Sequence, residues 1–103
     1  MPEPLSKGDL MDAMDLHDIP AYMQSSFADY ILEGTPTGGF LYAILTNDLK
    51  SACNKADDTN KHRIYEYVRF LFNVAPMNCW GSVENVTKWS EARKQERKAK
   101  RAD

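Results

Sequence analysis

Cysteine is scarce in this chain of 103 residues: Cys53 and Cys79 are the whole supply. Neither belongs to a CxxC or Cys/His spacing, so no zinc site is expected, and the pair reads as reduced thiols of a cytosolic protein. Long apolar runs are missing too, and none approaches the roughly 18–20 residues of a membrane span. The opening MPEPLSKGDLMDAMDL is acidic and has no apolar h-region, so no signal peptide is expected. There is no nucleophile elbow, no P-loop and no HExxH. Alternating strand patterns and internal repeats are also lacking. The expectation is a non-enzyme without cofactor or metal, of one domain with one modest core.

Charge is present but unevenly spread. Residues 1–58 carry ten acids and three bases; residues 59–103 carry five acids and ten bases. The halves are therefore −7 and +5 within a net charge of −2. Such asymmetry can guide head-to-tail self-association or present a basic end to an anionic partner.

What remains is helical punctuation. Ser6 with Asp9 resembles a capping box, which predicts a short helix near 6–16 in an N-terminal arm, residues 1–18. Asp18 can cap and Pro20 fits the first turn of a helix whose stripe is Ile19, Met23, Phe27 and Tyr30/Ile31, ending at Gly34. A second helix is predicted from about Gly39 to Lys55, on the stripe Phe40/Leu41, Ile44/Leu45, Leu49 and Ala52/Cys53. A third is predicted over about 59–74. It carries one polar line, His62, Glu66, Arg69 and Asn73, and apolar residues nearly everywhere else, so it is expected to be buried on several sides. Pro76 stops it, and Ser82 can cap a last helix with Val83, Val86 and Trp89. The expected fold is all-α: a compact bundle of four to five short helices. Its core is residues 19–92, followed by a basic helical tail over 93–103.

Five features are weighed for a functional reading. Asp48 falls in the middle of the apolar stripe Leu41, Leu45, Ala52, where an ionised carboxylate needs a partner. It belongs either to an internal network with Arg63, Arg69 or the Trp80 indole, or to a pocket floor, with Asn47 beside it as donor and acceptor. Asp57, Asp58 and Asn60 suit turn and cap formation; the glycine and terminal glutamate of an EF-hand loop are missing. His62 pairs with Asp58 and Glu66 at helical spacing, which alone argues neither metal nor catalysis. Eight aromatic residues between Phe40 and Trp89 suggest a protein interface or a stacking pocket as well as a core. Finally, Lys88 to Arg101 holds seven bases and two acids, open to a phosphate-backbone contact or to the role of a solvated helix end.

The segments IPAYM, GGFLYAILTNDL, ADDTN, YVRFLFN and PMNCWGS, followed by Trp89, resemble a family of small, mostly uncharacterised proteins of bacteriophages and prophages. The resemblance covers about two thirds of the chain, from Ile19 to Trp89. It implies expression from a mobile element in the cytoplasm of a bacterial host. It further implies a non-catalytic accessory protein that antagonises a host process, anti-phage defence above all, by binding. Candidate binding residues are Asn47, Asp48, Asp57, Asn60, Arg63, Arg69, Asn73 and Trp80, expected to share one polar seam. The expected partner is a host protein, or a nucleotide immune signal that the chain sequesters; a nucleic-acid regulator acting through Lys88–Arg101 is a further alternative. A homo-oligomer is expected, and no membrane partner.

Overall fold

A computed structural model describes residues 6–102, which form six α-helices and no strand. Helix α1 spans Lys7–Leu16, α2 Ala21–Glu33, α3 Gly39–Leu45, α4 Leu49–Lys55, α5 Ile64–Asn73 and α6 Val83–Ala102. Short 3-10 turns at Asn60–His62 and Met77–Cys79 precede α5 and α6. The expected loose segment over residues 1–5 lies outside the described residues. No described helix is long and apolar enough to cross a membrane.

Each start and stop has a local cause. The Ser6 hydroxyl accepts from the Asp9 N–H at 3.0 Å while the Asp9 carboxylate accepts from the Ser6 N–H, the reciprocal box expected of this pair. Ser82 likewise accepts from the Asn85 N–H at 3.0 Å and opens α6. Gly34 ends α2 with φ of 72°, and the close approach of α6 also requires glycine there. A Cβ on Gly34 would lie 2.7 Å from the Ser90 carbonyl oxygen and 2.9 Å from Cβ of Arg93.

The core is aromatic at its centre. Phe27 of α2 meets the Phe70 ring edge-on at 5.2 Å and stacks with Tyr67 at 6.0 Å; Phe40 of α3 meets Tyr67 edge-on at 5.3 Å. Burying each such ring contributes about 1.5–3 kcal/mol. The expected N-terminal arm is part of this core, because α1 packs along α2 and fully buries Leu10 and Met14. The Trp89 indole N–H donates to the Ile31 carbonyl at 3.0 Å, and the Ser90 hydroxyl to the Gly34 carbonyl at 2.6 Å. These bonds seat the first half of α6 on α2.

Four expectations need correction. Asp18 does not cap α2. It adopts φ of 60°, and Pro20 occupies the cap position without a side-chain bond. The expected helix over 39–55 is two helices. The expected helix over 59–74 is a 3-10 turn followed by α5, and only one arc of α5 is buried. No boundary falls at 92/93: α6 runs through it, and Arg93 is half-buried with its guanidinium 4.4 Å from the centre of the Trp89 ring. Six α-helices therefore stand where four or five were expected, α3 and α4 being the halves of one.

Candidate functional site

The break between α3 and α4 begins in the backbone. Asn47 has φ of 63°, in the left-handed region that asparagine tolerates better than most side chains. The Asn47 N–H donates to the Ile44 carbonyl at 3.1 Å and the Asp48 N–H to the Ala43 carbonyl at 2.8 Å. That pair is a Schellman motif with asparagine in the place usually held by glycine. Helix α1 ends the same way: Asp18 donates to Asp15 at 3.1 Å and Ile19 to Met14 at 3.0 Å.

Asp48 then starts α4. Its carboxylate accepts from the Ser51 N–H at 3.1 Å, and this bond holds its carboxyl below the usual carboxylate range. The expected place of Asp48 inside the apolar stripe is overturned, because the side chain is exposed. Its bond goes to Ser51 and not to Arg63, Arg69 or Trp80. Asn47 and Asp48 occur where leucines would continue the helix because together they stop one helix and open the next.

Restarting the helix re-aims Leu49, which lies 65% exposed. Asn47, Asp48 and Leu49 border a shallow depression with Ile64 and Val68 of α5. From there an apolar face runs along α5. Tyr65 and Phe72 are 70% and 74% exposed, and they flank half-buried Val68 at helical spacing of three and four. Phe72 meets the half-buried Trp80 ring edge-on at 5.1 Å, at the loop fixed to α3 by the 2.7 Å bond from the Gly81 N–H to the Leu45 carbonyl. Arg69 sits between Tyr65 and Phe72 at spacings of four and three, and Asn73 follows at the rim; both are exposed. Tyr67, Phe70 and Leu71 form the opposite, buried arc.

The remaining candidates lie elsewhere. Asp57 accepts from the Tyr22 hydroxyl at 2.5 Å, from the Asn60 N–H at 2.7 Å and from the Thr59 N–H at 3.1 Å. The Tyr22 bond, then the backbone bonds, hold the Asp57 carboxyl below its usual value. Asn60 is buried, and its Oδ1 accepts from the Tyr67 hydroxyl at 2.7 Å. These residues fasten the α4–α5 junction to α2 and to the aromatic core. Arg63 lies half-buried before α5, 3.8 Å from the Glu66 carboxylate. The expected single seam therefore divides. Asn47, Asp48, Arg69, Asn73 and Trp80 surround the aromatic face, whereas Asp57 and Asn60 build the junction. Among the described residues, no three His, Cys, Asp or Glu side chains are placed to hold one metal ion.

Sequence reading missed Leu49 and Tyr22. Leu49 looked like a core position because the periodicity ran unbroken, and nothing in the sequence tied Tyr22 to Asp57. It also missed a groove of about 250 Å³ between α2, the loop after it, α3 and α6, lined by Tyr30, Thr37, Tyr42, Ser90 and Lys94 among others. Comparison of the chain with protein-family models, with curated proteins and with solved structures finds no match to any of them.

Proposed function

We propose that this chain is a non-catalytic binding protein of the bacteriophage accessory class. It acts in the bacterial cytoplasm against a host process, anti-phage defence first among these, and the aromatic face of α5 is its docking surface. One observation carries the reading: Tyr65 and Phe72 stand 70% and 74% exposed on one side of α5, in contact with Trp80 through Phe72. Large apolar side chains gathered on one face mark interaction surfaces, and Tyr and Trp are favoured there. The rim supports it as well, since Asn47, Asp48, Arg69 and Asn73 offer hydrogen bonds and both charge signs around an apolar centre. In the free protein a second copy covers this face, which makes the isolated chain a homo-oligomer.

The test is phage plating on a defence-carrying host that expresses the wild-type chain or Tyr65→Ser/Phe72→Ser. The expected result is protection of the phage by the wild type and loss of it in the variant, with helicity by circular dichroism unchanged because both side chains are exposed on the single chain. A variant that folds and still protects would overturn the assignment of the face.

A further inference from the structure

The second half of α6 has no counterpart in the docking face. Between Arg93 and Ala102 the chain holds six bases and one acid. Lys94 and Lys98 are exposed, Arg97 is half-buried, and the side-chain bonds that seat α6 on α2 come from Trp89 and Ser90. The helix runs on from these bonds to Ala102, in a molecule whose principal extents are 45, 26 and 23 Å. Four of its six cations fall in two rows. Arg93 and Arg97 form one and Lys94 and Lys98 the other, each row repeating after about 6 Å along the axis and the two set about 100° apart around it. The nearby carboxylate, Glu96, is taken by Arg93 at 2.6 Å.

We infer that this arm binds the phosphate backbone of double-stranded DNA. The major groove of B-form DNA, about 12 Å wide, admits an α-helix, and a helix lying in it turns one flank toward each strand. Two cation rows on separate flanks suit two lines of phosphate. A membrane surface suits the arm less well. Its remaining residues, Gln95, Glu96, Ala99 and Ala102, supply no large apolar side chain for the interface. The acidic body repels the duplex, so contact is confined to the arm and is made by its cations to phosphate. Binding is therefore sequence-independent and driven by counterion release.

The experiment uses the full chain and a fluorescent duplex of about 20 base pairs, with anisotropy followed from about 50 to about 200 mM salt. With three phosphates neutralised, by Lys94, Arg97 and Lys98, log affinity should fall against log salt with a slope of about −2.7. Lys94→Gln/Lys98→Gln should reduce the steepness by about 2 and weaken binding at least about tenfold at the lowest salt, with helicity unchanged by circular dichroism. Three results would overturn the inference. One is no anisotropy change at about 100 μM protein, the weak end of ordinary non-specific binding. Another is equal binding by the variant. The third is tighter capture by phosphatidylglycerol vesicles, or dissociation of a DNA-free oligomer by the same substitutions, which would give the arm to a membrane or to a second copy.

Discussion

The Tyr67 hydroxyl donates a 2.7 Å hydrogen bond to Oδ1 of Asn60, and both side chains are buried. Desolvation raises the Tyr67 phenol well above its usual pKa. Tyr67→Phe keeps the ring contacts with Phe27 and Phe40 and leaves the Asn60 oxygen without this donor. The expected cost is about 1–2 kcal/mol. At roughly 4–8 °C per kcal/mol for a domain of this size, calorimetry will resolve it.

At the α3–α4 break, the prediction separates backbone from side chain. Asn47→Gly should hold or raise stability, because glycine accepts the left-handed conformation, while Asn47→Ala should cost about 1 kcal/mol. Urea unfolding of the two variants checks this ordering. Equal destabilisation by both would point to the Asn47 side chain in place of its φ.

Acid should weaken the two junctions. The carboxyls of Asp48 and Asp57 ionise more readily folded than unfolded, Asp48 through the Ser51 N–H and Asp57 through the Tyr22 hydroxyl. Their stabilisation is therefore full above the ordinary value of 3.8 and is lost as pH falls through the lower folded values. Melting temperature should drop below about pH 4, and Asp48→Asn/Asp57→Asn should flatten that drop.

Gly34→Ala should be among the most destabilising single changes in the chain. It combines a side chain at φ of 72° with a Cβ 2.7 Å from the Ser90 carbonyl oxygen, a backbone atom of α6. The expected loss exceeds the roughly 1 kcal/mol of the φ penalty alone, and denaturant unfolding measures it.

Self-association tests the α5 face in the free protein. Light scattering at micromolar concentration should show an oligomer for the wild type and a monomer for Tyr65→Ser/Phe72→Ser. A monomeric wild type would leave the face uncovered and remove the second copy from the reading.

The legible parts of the fold were those with a short-range cause. Ser6 with Asp9, Gly34, Pro76 and Ser82 act over three or four residues, and all four mark helix ends in the structure. The α3–α4 break was harder to see. Leu41, Leu45 and Ala52 keep helical spacing through the interruption, so periodicity could not register a residue in the left-handed conformation. A signal was nevertheless present: Asn-Asp followed by Ser51 is a helix stop joined to an N-cap. At the candidate site, Asp48 conflicts with a simple core, Asn47 stands beside it and Trp80 enters as its expected partner, and all three border the aromatic face. Asp57 and Asn60 suit turn and cap formation by residue type and join the seam only through the resemblance. Sequence could not show that Tyr22 and Tyr67, 35 and 7 residues away, claim them for the junction.

The two cysteines turn the burial of the second 3-10 turn into a clock. Cys79 is fully buried, the Tyr30 hydroxyl holds its carbonyl at 2.7 Å, and burial pushes its thiol up to about 12; Cys53 on α4 is open to solvent. An alkylating reagent will add to Cys53 at once and to Cys79 only when the turn lifts away from α2. The second mass increment therefore times the opening of the link between the aromatic face and α6, in the unmutated protein and without an attached probe.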